Sequence, residues 1–220
     1  MIKAVVFDFD GLILDTETAW YECYKEVLAG YEVELPLPIF AQIIGTDDAA
    51  FYQYMEEQLQ GSEEIEAINA AALTLHKEKM ATIVLREGVR EFLDEAKELN
   101  LRIGLATSSS ESWVKPFLEK YDLLKFFETI QTRDQVTRIK PDPELYVKAV
   151  EALGVKPEEA IAFEDSLNGS LAAKRAGMNC IIVPNPVTKD LEFQEFDARI
   201  ESMGGQSLRT LMDDITKKSV

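Results

Sequence analysis

The chain opens on an apolar run, Ala4-Val5-Val6-Phe7, that ends in Asp8-Phe9-Asp10-Gly11. Strand side chains alternate faces with a period of two, so Asp8 and Asp10 are expected to leave the strand end toward one side. Behind them the apolar spacing becomes helical. Trp20, Cys23, Tyr24, Val27 and Leu28 share one face of a helix that Asp15 or Thr16 can cap and Gly30 ends. Pro36 to Ile44 reads as a short helix stopped by Gly45. Asp47 then introduces a helix carrying Phe51, Met55 and Leu59, and Ser62 opens a longer one to about Ile83. No strand is expected between Thr16 and Val84.

From Leu85 onward, helices alternate with strongly apolar strands. Strands are expected at 101–106, 128–132, 160–163 and 179–183, with helices between them and a last helix through Leu208, Leu211, Met212 and Ile215. Such a pattern indicates an α/β fold, a Rossmann-like doubly wound parallel sheet with helices on both faces. The stretch of about 69 residues from Thr16 to Val84 is too long for a connection in such a unit, where loops run about 2–6 residues. It is expected to be an inserted all-helical domain (16–84) over the strand end of a Rossmann-like core made of 1–15 and 85–220.

Charge removes several function classes. The 220 residues carry a formal net charge of −17, which argues against nucleic acid and against an anionic membrane surface as partners. No run of about 18 apolar residues offers a membrane span, and Met1 to Phe7 is too short and too soon acidic for a signal peptide. A cytoplasmic protein is expected. Cys23 and Cys180 are in no metal-like spacing and read as buried structural thiols. The one histidine, His76, sits among Lys77, Glu78 and Lys79 and is expected on a solvated helix surface. With a single histidine, neither a hydrolytic triad nor a zinc site is expected.

What remains is carboxylate, hydroxyl and lysine chemistry. Ligands of open α/β sheets bind beyond the carboxyl ends of the strands. The residues expected there are Asp8 and Asp10, Thr107 and Ser108, Lys140, and Glu164 and Asp165. Acidic triplets are common in so acidic a chain, but carboxylates at buried strand ends are costly without a positive partner. The set suits phosphoryl transfer. One carboxylate attacks phosphorus, a second protonates the leaving oxygen, further acids hold Mg²⁺, and hydroxyls with a lysine cradle the phosphate. Ser109, Ser110 and Asn168 are read as helix-capping or loop residues.

Asp8-Phe9-Asp10-Gly11, Thr107 after an apolar strand, Lys140-Pro141-Asp142-Pro143-Glu144 and Glu164-Asp165-Ser166 resemble the four ordered motifs of the haloacid dehalogenase-like superfamily. The helical stretch directly behind the first motif is similar to the caps of its β-phosphoglucomutase and phosphoglycolate phosphatase subgroup. The resemblance covers essentially the whole chain. It implies Asp8 as nucleophile and Asp10 as acid/base, the latter also meeting Mg²⁺ through its main-chain carbonyl. Thr107, Ser108 and Lys140 would bind phosphate, and Asp165, helped by Glu164, would complete the metal site formed with Asp8 and Asp10. Asp10 separates the chain from the dehalogenases, which lack this second aspartate. The mutase of the subgroup has a cap histidine and a cap arginine where this chain has Trp20 and Gly45-Thr46-Asp47-Asp48, which favours hydrolysis.

The expected activity is therefore Mg²⁺-dependent hydrolysis of a small phosphorylated metabolite through a phosphoaspartyl intermediate, by a monomer or weak homodimer. The cap holds three basic residues, Lys25, Lys77 and Lys79, against thirteen acidic ones, which points to monophosphates over bisphosphates. The competing readings are a sugar-phosphate mutase, a phospho-acceptor signalling domain and a catalytically silent phosphometabolite-binding protein. A signalling domain would place its acceptor aspartate on a middle strand and carry no helical insertion. No G-x-x-x-x-G-K or G-x-G-x-x-G run occurs to support a nucleotide fold.

Overall fold

A computed structural model describes residues 1–59 and 61–218. The opening run forms β1 (Ala4–Phe7), buried along its whole length. Four further strands follow where the apolar runs lie: β2 (Arg102–Ala106), β3 (Thr129–Gln131), β4 (Ala160–Glu164) and β5 (Asn179–Ile182). A two-residue edge strand, β6 (Ala198–Arg199), has no apolar run of its own and was not expected. All pair in parallel in the order β3-β2-β1-β4-β5-β6. The order reverses at β1, which makes the crevice beyond its carboxyl end the switch point where such sheets bind ligands. Phe7 is level with Leu105 and with Phe163, so the residues that follow these three strands emerge along one edge.

Between β1 and β2 the chain forms α1 (Thr16–Ala29), α2 (Leu37–Ala41), α3 (Ala49–Gln58) and α4 (Ser62–Thr82), with no strand among the described residues of that stretch. These helices bury an apolar cluster separate from the sheet, including Leu28, Phe40, Ile44, Phe51, Met55 and Ile68. The second helix is shorter than the Pro36–Ile44 expectation. Beyond Ala41 the amides of Gln42 and Ile43 bond carbonyls three residues back, and the chain turns through Gly45 at φ +79°. The two chain crossings into and out of this helical stretch lie side by side. Leu14 bridges Leu85 in antiparallel fashion, and the Arg86 amide donates to the Ile13 carbonyl at 2.9 Å.

His76 corrects the surface expectation. It is 1 % exposed and stacks on Trp20 of α1, with ring centroids 3.6 Å apart and planes 10° apart. The reason is helical phase. Ile65, Ile68, Ala72, His76 and Met80 recur every three or four residues, and all five are buried. Its neighbours Lys77 and Glu78 point to solvent, while Lys79, one turn on, pairs with Glu22 of α1 at 2.6 Å at the exposed edge of the same contact.

The remaining helices cover the sheet: α5 (Val89–Glu98), α6 (Glu111–Lys120), α7 (Glu144–Ala152), α8 (Leu167–Arg175) and α9 (Leu208–Lys218). The period of two is visible in β1. Val5 and Phe7 pack with Phe92 of α5, Leu118 of α6 and Leu208 of α9. Ala4 and Val6 pack with Tyr146 of α7 and Ala172 of α8. No helix among the described residues is long and apolar enough to cross a membrane.

Candidate active site

The next residue in that alternation is Asp8, which continues the Ala4–Val6 face toward α7. Its Oδ1 accepts from the Lys140 ammonium at 2.6 Å, and the same ammonium donates to Glu164 Oε1 at 2.6 Å. All three side chains are nearly or wholly buried. Tyr146 donates its hydroxyl to Glu164 at 2.5 Å and lies under the lysine, 5.1 Å from ring centroid to Nζ. Burial alone would lower the Lys140 ammonium, but the Asp8 and Glu164 carboxylates override it and hold the group charged. Burial pushes the Asp8 carboxyl up to about 7, with Lys140 pulling against it and Glu164 adding to it.

Asp165, wholly buried, follows Glu164 at the end of β4. One carboxylate oxygen, Oδ2, accepts from the Asn185 amide at 2.7 Å, while Oδ1 has no partner. An unpartnered buried carboxylate oxygen is rare and asks for an explanation. Carboxylate oxygens of Asp8, Glu164 and Asp165 lie within 4.8 Å of one another, a donor set of hard oxygens suited to a divalent cation. The residues therefore fit a metal. Burial and the neighbouring Asp8 and Glu164 charges drive the Asp165 carboxyl well upward, a strain that a cation would relieve. Gly11 makes room for this arrangement. Its φ is +75°, and a Cβ there would stand 2.0 Å from Asp165 Oδ2. Arg86 pins the same turn by donating to the carbonyls of Gly11, Val183 and Pro184.

Asp10 diverges from Asp8. The strand stops at Phe7, so the alternation no longer governs Asp10, and its partners come from the opposite side. Trp113 Nε1 and Thr16 Oγ1 each donate to Oδ1 at 2.9 Å, and Ser109 Oγ lies 2.6 Å from Oδ2. Asp15, rather than Thr16, caps α1 by accepting from the Thr18 amide. Ser109, expected to be a helix-capping or loop residue, instead holds Asp10.

Thr107 is buried and accepts the Ser109 amide at 3.1 Å, which closes the turn after β2. Ser108 donates its hydroxyl to the Gly45 carbonyl at 2.9 Å. From the other side Asn168 reaches the Ile44 carbonyl at 2.9 Å. The turn between α2 and α3 is thus tied to the loop after β2 and to the first turn of α8. Beneath it lies a cleft of about 660 Å³ lined by Asp8, Asp10, Thr107, Ser108 and Lys140 from one side and by Glu17, Trp20, Tyr24, Asp48 and Tyr52 from the other. That size accommodates a small metabolite. All the strand-end residues singled out from the sequence gather here or directly behind, with Glu164 and Asp165 under the floor.

Several participants were not anticipated: Tyr146, Trp113 and Asn185. Tyr146 and Trp113 look like core positions on amphipathic helices. Asn185 was findable, because it stands just past the last long apolar strand, where the strand-end rule applies equally.

Comparison with known proteins follows the same lines. The profile of haloacid dehalogenase-like hydrolases matches residues 5–183. The chain is 46% identical over 221 residues to YhcW of Bacillus subtilis (strain 168), covering 100% of both chains. It is 34% identical over 184 residues to the phosphorylated carbohydrates phosphatase of Thermotoga maritima, covering 82% of this chain and 84% of that one. Among solved structures, a CbbY mutant from Rhodobacter sphaeroides in complex with xylulose-(1,5)bisphosphate superposes with a TM-score of 0.74 at 29% identity, over 93% of this chain and 96% of that one. With the profile spanning residues 5–183 and relatives of 46% and 34% identity covering all or most of its length, the chain belongs to the haloacid dehalogenase-like hydrolase family.

Proposed function

We propose that the protein is a Mg²⁺-dependent phosphomonoester hydrolase acting on a phosphorylated sugar or a similar small metabolite, with Asp8 as nucleophile. The observation that carries this reading is the buried trio of Asp8, Lys140 and Glu164 beside an Asp165 oxygen that lacks a partner. In the first half, an Asp8 oxygen forms a bond to phosphorus, the bond to the leaving oxygen breaks, and Asp10 gives that oxygen its proton. In the second half, water attacks the aspartyl phosphate while Asp10 takes the water's proton, and phosphate leaves Asp8. Lys140, the Thr107 hydroxyl and the turn at Ser108 hold the phosphate oxygens. Asp8, Asp165 and the Asp10 main-chain carbonyl would hold Mg²⁺. Glu164, whose oxygens already serve Lys140, Tyr146 and Ser166, would add charge to that site. The cation supplies neutralisation of the clustered carboxylates and withdraws charge from a phosphate oxygen.

Within this reading, residues 16–84 act as a cap over a core of 1–15 and 85–220, turning about the paired crossings at Leu14 and Leu85. The relative from Thermotoga maritima, named for phosphorylated carbohydrates, supports a sugar phosphate as substrate. Monophosphates fit better than bisphosphates. None of Lys25, Lys77 and Lys79 lines the cleft, and the charge of the one guanidinium there, Arg133, already acts on Asp48, where it opposes the upward push of burial on that carboxyl. A cytoplasmic location accords with Cys23 and Cys180 remaining free thiols.

The test is phosphate release from a panel of sugar and polyol mono- and bisphosphates, with and without Mg²⁺, by wild type and Asp8→Asn. We expect release that needs Mg²⁺, favours monophosphates, and falls at least about a thousandfold in Asp8→Asn. Undiminished turnover by Asp8→Asn would refute the nucleophile.

A further inference from the structure

We infer that Trp113 is a positioning residue that, together with Thr16, decides which oxygen of Asp10 carries the catalytic proton. The inference rests on Asp10 being the acid/base of the proposed reaction. An indole N–H donates and cannot accept, so the 2.9 Å bond from Trp113 Nε1 requires a lone pair on Asp10 Oδ1. Thr16 Oγ1 accepts the Gly11 amide at 3.1 Å and turns its own proton to the same Oδ1 at 2.9 Å. With two donors on Oδ1, the acid proton belongs on Oδ2. There it meets Ser109 Oγ at 2.6 Å, a hydroxyl that accepts from the protonated acid and donates to the carboxylate.

The direction of the indole N–H is set by packing. The Trp113 ring lies against Phe117 of its own helix at 5.1 Å and against His76 of α4 at 5.7 Å, and His76 is stacked in turn on Trp20 of α1. The donor that orients Asp10 is thus wedged in place by the helical stretch that covers the cleft. In the first half-reaction the Oδ2 proton goes to the leaving oxygen as its bond to phosphorus breaks. In the second, Oδ2 receives a proton from the attacking water as the Asp8–phosphorus bond breaks.

The experiment uses leaving groups that differ in their need for a proton. An alkoxide leaving from a sugar phosphate needs one, whereas 4-nitrophenolate does not. kcat/KM reports the chemistry through the first phosphoryl transfer, so we compare it for the best sugar phosphate and for 4-nitrophenyl phosphate in wild type, Trp113→Phe and Asp10→Asn. Trp113→Phe keeps an aromatic ring and removes the donor. We expect it to lower the ratio of sugar phosphate to aryl phosphate kcat/KM by about tenfold, and Asp10→Asn to lower it by about a hundredfold or more. If Trp113→Phe lowers both substrates in proportion, or neither, the positioning role is overturned while the Asp10 assignment stands. If Asp10→Asn leaves the ratio within twofold of wild type, the acid/base reading itself falls, and this inference with it. Should Trp113→Phe not fold, site-specific replacement of Trp113 by 3-benzothienylalanine, of equal shape and without the N–H, gives the same comparison.

Discussion

Lys140 is intelligible only in company. A buried ammonium without partners would discharge, yet between Asp8 and Glu164 it stays charged and makes both carboxylates tolerable. His76 is the opposite case, a buried base kept neutral. Burial lowers its pKa to about 4, against 6.5 in the unfolded chain, and the Nε2 atom has no partner. Its folded pKa is depressed, so between pH 6.5 and 4 the unfolded chain binds the extra proton. This contribution to stability is complete above pH 6.5 and is lost as pH falls toward 4. We expect denaturant titrations to show wild type losing about 2 kcal/mol relative to His76→Phe between pH 7 and pH 5. Parallel losses in the two proteins would mean that His76 is not buried as described. Sequence neighbours misplaced this residue, because adjacent positions on a helix face different directions and only the Ile65–Met80 stripe carried its phase.

At the scale of elements, α8 shows how closely a helix is fitted to the site. Ala in place of Gly inside a helix ordinarily stabilises by about 1 kcal/mol. At Gly169 the sign should reverse, because a Cβ would lie 2.0 Å from the Glu164 carboxylate. Either α8 retreats or Glu164 releases Lys140 and Tyr146. We expect Gly169→Ala to lose about 2–3 kcal/mol in denaturant melts, with a fall in kcat. Stability equal to or above wild type would show that Glu164 has room to move. The strands were legible from their apolar runs and the helices from their stripes, to within a few residues at the ends. β6 was not, because two residues paired to the edge of β5 carry no pattern of their own. Nor was the early end of α2, which its turn geometry decided.

For the whole molecule, the proposed cation links stability to function. It would join Asp8, at the start of the chain, to Asp165, on the other side of the switch point. A ligand that binds only the folded state at about a hundred times its Kd adds about 2.7 kcal/mol. We expect Mg²⁺ to raise the Tm of wild type and to leave Asp165→Asn nearly unmoved. In a chelator the ranking should invert, with Asp165→Asn at least as stable as wild type, since it removes a buried carboxyl already driven upward. An undiminished Mg²⁺ shift in Asp165→Asn would remove Asp165 from the metal site.

Sequence by itself determined the layered α/β core, the long helical stretch behind β1 and the identity of the strand-end residues. Periodicity and strand termini are local properties, and chemistry-bearing side chains at strand ends are visible one strand at a time. Only the tertiary structure decided how the Asp8–Asp10 pair divides. Asp8 keeps to the face of α7 and meets Lys140, while Asp10, past the last strand residue, is taken up by Thr16, Ser109 and Trp113. Those partners stand up to 103 positions away and occupy slots that read as caps, loops and core. No spacing rule connects them, because a hydrogen bond across packed layers depends on where whole helices settle rather than on the residues between.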